Sequence, residues 1–284
     1  MARPQAPRVP IARWRGRAWE HVDDAIAAEE PLQLLLSGEP LSIVMRTPGN
    51  DIELALGLLS AEHVVARLAD IVEIRISAEA GDREPRLKVN DDVVESNQID
   101  VVLRDGSGRR PERSFLASSA CGVCGATTVE SLAHDHAPLA DGPRVEAATL
   151  PPLAQQLRGG QRVFDATGGL HAAALFTADG ELVTLREDIG RHNAVDKVVG
   201  RAFIDGQLPL ATSILAVSGR AGYEVVQKAV AAGIPILVAV GAPSSLAVAT
   251  AVRFGLTLVG FLRDDRFNVY SGHERLVGLP APVV

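Results

Sequence analysis

Residues 212–262 read TSILAVSGRAGYEVVQKAVAAGIPILVAVGAPSSLAVATAVRFGLTLVGFL. Short apolar runs alternate here with longer amphipathic segments, a pattern typical of strands joined by helical crossovers. The pattern predicts strands over 212–217, 234–240 and 257–262, and helices over 222–232 and 245–255. Strands that alternate with helices in this way predict an α/β fold built as a layered sheet.

The middle of this stretch, residues 229–252, has no charged residue and is long enough to suggest a membrane span. Pro235, Gly241 and Pro243 divide it into a strand, a turn and the start of a helix. We therefore expect buried α/β core here and no membrane association.

Upstream, the same sheet is expected to continue through strands over 171–177 and 182–185 and a helix over 192–204. The preceding part of the chain is different, because a strand over 41–47, a helix that begins at Asn50 or Asp51 and several alternating strands predict a smaller N-terminal α+β domain. Those alternating strands are predicted over 70–77, 85–89 and 98–103. The expected organisation is a flexible basic arm over 1–20, the α+β domain over 30–110, a cysteine loop and connection over 111–150, and the main α/β domain over 151–284.

Composition narrows the class of protein. With 284 residues, 47% of them hydrophobic, the chain can bury a sizeable core. A net charge of -7 argues against general nucleic-acid binding, which needs a basic surface. Arginines interrupt any apolar run near the N-terminus, and two nearby cysteines form no long-range disulfide framework, so we expect a cytoplasmic protein.

Cys121 and Cys124 are the only cysteines, and each is followed by glycine. A zinc site would need about four ligands; His134 and His136 could complete the set, but the predicted helix after the cysteines would hold them away, so no metal is expected. A thiol–disulfide redox pair is a second interpretation, although the aromatic residue that usually precedes such a pair is missing. The third is sulfur carriage, in which one thiolate attacks a donor persulfide and holds its terminal sulfur.

Three polar segments follow predicted strands, where ligands of open α/β sheets gather. The first is REDIGRHN, residues 186–193, which contains Asp188, His192 and Asn193; a solvated helix start is an equally good explanation of it. The second, Ser218, Gly219 and Arg220, lets backbone amides and a guanidinium approach an anion. The third, Phe261 to Arg266, carries two arginines suited to phosphates, or it is a surface ion-pair loop.

Together, three motifs resemble the FdhD family of formate dehydrogenase accessory sulfurtransferases. They are CGVCG at 121–125, REDIGRHNAVDK at 186–197, and SGR at 218–220 with Tyr223 and Glu224. The resemblance runs from about residue 47 to residue 270. It implies a cytidine-deaminase-like fold and a protein that takes persulfide sulfur from a cysteine desulfurase. The sulfur would be delivered to the molybdenum or tungsten bis(guanine dinucleotide) cofactor of formate dehydrogenase.

The resemblance also implies roles for particular residues. Cys121 would carry the persulfide and Cys124 would assist. The cofactor, bound as substrate, would contact a segment that consists of Phe261, Leu262, Arg263, Asp264, Asp265 and Arg266, and a guanine nucleotide such as GDP could occupy the same site. A homodimer is expected on the same ground.

We further expect phosphate contacts from Arg220, Arg263 and Arg266, next to Ser218 and Gly219. Asp188, His192 and Asn193 are candidates for guanine, ribose or sulfur-transfer roles. Deaminase chemistry is not expected, because His171 is followed by two alanines and not by the His-x-Glu pattern. A thiol–disulfide oxidoreductase and a non-enzymatic cofactor-binding chaperone remain as alternatives.

Overall fold

The structure is a computed structural model that describes residues 5–77, 83–85, 97–104 and 137–278. Cys121 and Cys124 lie outside the described residues, as does the predicted strand segment 86–89. In the described part the chain is a mixed α/β protein with several sheets, as expected in outline. None of the helices in that part is both long enough and apolar enough to cross a membrane.

The largest sheet has six strands. They are β9 (His171–Thr177), β10 (Leu182–Asp188), β11 (Ser213–Val217), β12 (Ile236–Ala239), β13 (Thr257–Gly260) and β14 (Asn268–Ser271). Their order across the sheet is β10-β9-β11-β12-β13-β14. The three central strands β11, β12 and β13 are parallel, whereas the flanking strands pair antiparallel. The carboxyl ends of β11, β12 and β13 therefore meet at one edge of the sheet.

Helices cover both faces of this sheet, because successive side chains of each strand point to opposite sides. Leu215 and Val217 pack in a core with α4 (Arg191–Ile204), α5 (Tyr223–Ala231) and α6 (Ser245–Phe254). Ile214 and Ala216 pack on the other face, where α2 (Pro151–Gly159) contributes Leu153 and Leu157. Both faces are thus removed from water, which explains why the central strands are apolar throughout.

A second, five-stranded sheet lies toward the N-terminus. Its strands are β3 (Glu30–Leu36), β4 (Glu39–Arg46), β5 (Ile71–Ser77), β6 (Arg83–Pro85) and β7 (Gln98–Leu103), in the order β4-β3-β7-β5-β6. Helix α1 (Asp51–Ala61) packs its leucines on this sheet. Strand β3 was not among the predicted strands. The boundaries proposed for separate domains stay a prediction.

Helices α1 and α4 cross in close contact, which joins the two sheets. A Cβ atom added to Gly57 would overlap the backbone carbonyl oxygen of Asp196, and one added to Gly200 would overlap that of Glu53. The two glycines therefore face the partner helix's backbone in a reciprocal way, one from each helix. Phe203 of α4 also lies in the core of the five-stranded sheet.

A flexible basic arm was expected over residues 1–20, but from residue 8 onward the chain is part of a regular hairpin that spans residues 8–25. These residues form an antiparallel hairpin of β1 (Arg8–Arg15) and β2 (Ala18–Ala25). Opposite charges face each other between the strands, in Arg13–Asp24 at 3.2 Å and Arg15–Glu20 at 3.2 Å. The prediction weighed the arginine and proline content and overlooked the alternation that a strand requires.

Besides 3₁₀ turns, the described residues include three shorter strands and helices. They are β8 (Val145–Glu146), α3 (Arg162–Thr167) and β15 (Leu276–Val277), of which β8 and β15 pair in parallel. Helix α3 follows α2 along the chain and precedes β9.

Candidate functional site

A pocket of about 1260 Å³ opens beyond the carboxyl ends of β11, β12 and β13. Its lining includes the residues that directly follow these strands, namely Ser218, Val240 and the segment 262–266. Helices α2 and α3 and the start of β9 provide the rest, among them Arg158, Phe164 and His171. In open α/β sheets ligands bind at this end of the parallel strands, and the pocket is large enough for a nucleotide-sized molecule.

The predicted segment 261–266 reaches the pocket as a turn anchored on the sheet. Leu262 is buried in the core and its N–H donates to the Ala239 carbonyl, 3.0 Å away. The Arg263 N–H donates to the Arg266 carbonyl at 2.8 Å, which closes the turn. The Arg263 guanidinium donates to the Val240 carbonyl at 2.7 Å, so this side chain is held over the end of β12.

The residues of this segment differ in their exposure and in whether they line the pocket. Arg263, Asp264, Asp265 and Arg266 are exposed and line the pocket. Phe261 is 41% exposed and has a left-handed backbone with φ 54°, but it is not part of the lining. The segment thus presents two guanidinium groups and two carboxylates to the pocket, and the apolar Leu262 fixes it to the core.

Gly241 brings the two predicted anion-binding segments together. Its N–H donates to the Gly219 carbonyl at 2.9 Å, and its carbonyl accepts from the Phe261 N–H at 3.1 Å. A Cβ atom at position 241 would overlap the backbone of Gly219 and Arg220. The loops after β11 and β13 are therefore linked through the loop after β12. Gly241 was predicted only as part of a turn and not as a contributor to the site.

Ser218 lies at the inner end of the pocket. Its hydroxyl oxygen accepts from the Ala172 N–H at 2.8 Å, and its own N–H donates to the Ala172 carbonyl at 2.9 Å. Gly219 packs against His171, where a Cβ atom would come within 3.3 Å of Nδ1. Arg220 is exposed at the end of this loop. Ser218 is the one of these three that the pocket lining includes.

Asp188 and Asn193 belong to a buried network. Asp188 Oδ1 accepts from the Gly190 N–H at 2.8 Å and from Asn193 Nδ2 at 2.9 Å, and Oδ2 lies 2.7 Å from Lys197 Nζ. Lys197 also donates to the Thr47 carbonyl at 2.9 Å. Both predicted residues therefore join the turn between β10 and α4 to the end of β4. Their direct contact with a cofactor stays a prediction.

His192 pairs with Glu224 and not with Asp196, which lies one helical turn after it. Its Nε2 lies 2.9 Å from Glu224 Oε2, at the start of α5. Burial raises the pKa of Glu224, but the hydrogen bond from His192 and the charges of His192 and Lys228 outweigh it, and the net pKa lies below the usual value. Asp196 instead lies 2.7 Å from Lys228 Nζ.

His171 lines the pocket although it was not among the predicted site residues. It begins β9, pairs with Asp188 across the strands and lines the pocket. Burial lowers the pKa of His171, and the charges of Arg191, His192 and Arg220 lower it further, against the opposing effect of Asp188. A neutral imidazole at this point can accept a hydrogen bond.

Arg191 adds an unsatisfied donor beside His171. Its Nε atom is buried without a hydrogen-bond partner among the described residues. A buried donor of this kind is costly unless something accepts from it, which suits a region that receives an anion.

No group of three or more potential metal ligands occurs within residues 5–77, 83–85, 97–104 and 137–278. The polar groups at this site include guanidinium groups, backbone amides and the His171 imidazole, and the two thiols lie outside the described residues. This chemistry suits an anionic ligand with phosphate groups.

Comparison with known proteins agrees with the motifs. The model of the FdhD/NarQ family matches residues 27–277. The sulfur carrier protein FdhD of Streptomyces coelicolor is 49% identical over 276 residues, which cover 95% of each chain. The protein of the same name from Sulfolobus acidocaldarius is 41% identical over 275 residues, 96% of this chain and 99% of the relative.

A solved structure has the same fold. The crystal structure described as a formate dehydrogenase accessory protein from Desulfotalea psychrophila superposes with a TM-score of 0.74 and 25% sequence identity. The match covers 96% of this chain and 100% of the other. On the evidence of the family match and of relatives that align along nearly their whole length, this chain belongs to the FdhD/NarQ family.

Proposed function

We propose that this protein is a sulfur carrier for formate dehydrogenase, which accepts persulfide sulfur from a cysteine desulfurase and transfers it to the molybdenum bis(guanine dinucleotide) cofactor. The observation that carries the proposal is the alignment, over 95% of each chain, with a relative named sulfur carrier protein. That name favours a carrier over the two alternatives, a thiol–disulfide oxidoreductase and a cofactor-binding chaperone. The carrier acts as a sulfurtransferase through a cysteine persulfide.

The loading step needs no external oxidant. The Cys121 thiolate attacks the terminal sulfur of the desulfurase persulfide and forms a new S–S bond. The S–S bond of the donor breaks, and the electron pair leaves with the donor's cysteine thiolate. Cys121 then holds a persulfide, and Cys124 assists in its release to the acceptor.

The pocket supports the second half of the proposal. Arg263 and Arg266 line it, and Arg220 lies on the adjoining loop. A bis(guanine dinucleotide) carries diphosphate groups, for which guanidinium groups are strong partners. Ser218 and Gly219 would bring backbone amides to the same anion.

Three further points belong to this proposal. The six-stranded sheet with helices on both faces is of the cytidine-deaminase kind, the protein acts in the cytoplasm, and it functions as a homodimer. The carrier role itself depends on none of them.

The test is intact-mass spectrometry of the full chain after incubation with a cysteine desulfurase and cysteine. The wild type and Cys124→Ala should gain the mass of one sulfur atom, and Cys121→Ala should not. A Cys121→Ala protein that still gains sulfur, or a wild type that gains none, would overturn the carrier assignment. Insulin reduction, measured in parallel, would reveal an oxidoreductase.

A further inference from the structure

The hairpin of β1 and β2 presents one face to solvent. The register places Trp14 opposite Trp19, and residues paired in this way lie on the same face of a sheet. Trp14 is 52% exposed and Trp19 is 68% exposed. The other exposed residues of this face, which we call the tryptophan face, are Arg8, Pro10, Ala12, His21 and Asp23.

The base of the hairpin is fixed beside the pocket. The Gln5 Nε2 atom donates to the Pro48 carbonyl at 2.7 Å, and β2 contacts α3. A Cβ atom added to Gly169, which lines the pocket, would lie 3.0 Å from the Ala27 Cβ atom. Because a strand of eight residues spans about 26 Å, a molecule on the tryptophan face is held within about that distance of the pocket wall.

The two indole rings form an exposed aromatic patch. Their centroids lie 5.3 Å apart, with an angle of 53° between the ring planes. Contact between the rings stabilises the hairpin modestly, but more than half of each residue stays in water, where apolar surface is costly. Tryptophan is enriched at the centres of protein–protein interfaces, where a few such residues contribute most of the binding energy. The patch therefore suits contact with another molecule.

Positive charge is concentrated beside this patch. Residues 8–20 contain four arginines and one glutamate, in a chain whose net charge is -7. Arg15 Nε lies 3.2 Å from Glu20, but the Arg15 side chain is 72% exposed, and an ion pair at the surface holds its partners weakly. Arg17, in the exposed turn, has no ion pair with any described residue. The end of the hairpin is therefore complementary in charge to carboxylates.

Acidic side chains on the hairpin argue against a nucleic acid or an anionic membrane as the bound molecule. Asp23 lies on the tryptophan face and Glu20 follows Trp19, and both would repel closely spaced phosphates. A protein segment can instead place its carboxylates beside the arginines and its apolar side chains on the rings. The pattern of charge thus favours a protein partner.

We propose that the tryptophan face, with Arg15 and Arg17, is a docking surface for an acidic segment of a partner protein. Carboxylates of the segment pair with the guanidinium groups, and its apolar side chains cover the indole rings. The docked protein is thereby held near the pocket. This inference goes beyond the carrier function, and it holds whichever reaction the pocket serves.

The probe is a fluorescein-labelled peptide of alternating glutamate and proline, which its prolines keep extended. Fluorescence polarisation measures its binding to the full chain, and a lysine–proline peptide of equal length should not bind. Trp19→Ser, and separately the double variant Arg15→Gln/Arg17→Gln, should each weaken binding of the acidic peptide about tenfold, as expected of central interface residues. Trp19→Phe keeps an aromatic ring and should stay within about threefold of the wild type.

Matched controls come from α6, outside the hairpin. Val252→Ser removes an exposed apolar side chain and Arg253→Gln removes an exposed positive charge, and neither should change the affinity for the peptide. Thermal unfolding checks that each variant is folded. Should Trp19→Ser fail to fold, the double arginine variant carries the test, because Arg15 and Arg17 are both exposed.

Several outcomes would overturn the docking surface. They are absence of binding of the acidic peptide, equal affinity in the wild type and the hairpin variants, and equal loss in the α6 controls. Tighter binding of a single-stranded DNA oligonucleotide, or of vesicles of phosphatidylglycerol and phosphatidylcholine, would assign the face to a polyanion or a membrane. A dimer that Trp19→Ser dissociates in sedimentation velocity would show that a second copy covers the face. The peptide contains no sulfur donor, so the carrier function stands or falls separately.

Discussion

Lys197 Nζ lies 2.7 Å from Asp188 Oδ2, and both side chains are completely buried. The pair connects the six-stranded sheet, through Asp188, with the end of β4, because Lys197 also donates to the Thr47 carbonyl at 2.9 Å. Charges so deeply buried are tolerated only when they are paired and hydrogen-bonded.

Lys197→Met should therefore destabilise the protein strongly. The variant leaves the Asp188 carboxylate buried without its cation, and loss of one partner of such a pair typically costs about 3–5 kcal/mol. Urea unfolding of the wild type and the variant measures the difference. Asp205→Asn, at the residue that follows the same helix, is the control: its ion pair with Arg201 is partly exposed, and the expected change is about 0.5 kcal/mol or less. Equal effects of the two substitutions would contradict the role given to the buried pair.

Gly200→Ala should weaken the crossing of α1 and α4. The added Cβ would overlap the Glu53 carbonyl oxygen, so the helices must separate, at a cost of about 1–3 kcal/mol or more. Gly159→Ala is the matched control, because Gly159 ends α2 with open space around its Cα and alanine favours a helix. The melting temperature should fall for Gly200→Ala and stay level or rise for Gly159→Ala. A Gly200→Ala protein as stable as the wild type would show that the helices do not pack as described.

His171 makes stability depend on pH in a defined direction. Because its pKa in the folded protein lies below the ordinary value of 6.5, the unfolded chain takes up this proton first as the pH falls. The contribution of the neutral imidazole is complete above pH 6.5 and is lost as the pH falls from there through the folded pKa.

The measurement is the urea midpoint between pH 7.5 and pH 5, roughly spanning the ordinary histidine range. His171→Gln cannot titrate, so its midpoint should fall less over this interval than that of the wild type. Burial has the largest effect on the pKa of His171; the charges of Arg191, His192 and Arg220 act in the same direction, and that of Asp188 opposes them. Proton NMR of the His171 ring should give a pKa below 6.5, and a value above it would refute the assignment.

Arg266→Gln should weaken pyrophosphate binding about tenfold, since a hydrogen bond to a charged group contributes about 1.5–3 kcal/mol. Arg266 is exposed and lines the pocket, so the substitution should leave the fold intact. Arg253→Gln, on α6 and outside the pocket lining, is the control for the loss of one positive charge. Calorimetry at two salt concentrations should show a smaller salt dependence for Arg266→Gln alone. The same loss in Arg253→Gln would point to overall charge and not to a site.

Local sequence predicted the elements of the main sheet well, because buried parallel strands are short apolar runs bounded by turns. The strand over 171–177 has the predicted ends and α4 begins one residue before the predicted helix, whereas β14 was not among the predicted strands. It also predicted that residues 218–220 and 261–266 come together, since both follow strands that end at one edge of the sheet.

Contacts between residues far apart in the sequence could not be predicted from local sequence patterns. The Asp188 carboxylate accepts from the N–H of Thr47, which lies 141 residues earlier in the chain. The N–H of Phe164 donates to the carboxylate of Glu187, 23 residues later. A charged residue next to a strand looks the same in sequence whether it faces a ligand or a buried lysine. Glu187 and Asp188 are neighbours in one motif, yet one restrains α3 and the other holds the end of β4.

The hairpin of β1 and β2 has a practical consequence for spectroscopy. Trp14 and Trp19 are the only tryptophans of the chain, and their rings lie 5.3 Å apart within this hairpin. Both are exposed, and neither lines the pocket. Intrinsic tryptophan emission thus reports on one surface hairpin. A shift of the emission wavelength on addition of a protein partner would indicate contact at this hairpin, whereas a ligand in the pocket should leave the emission unchanged.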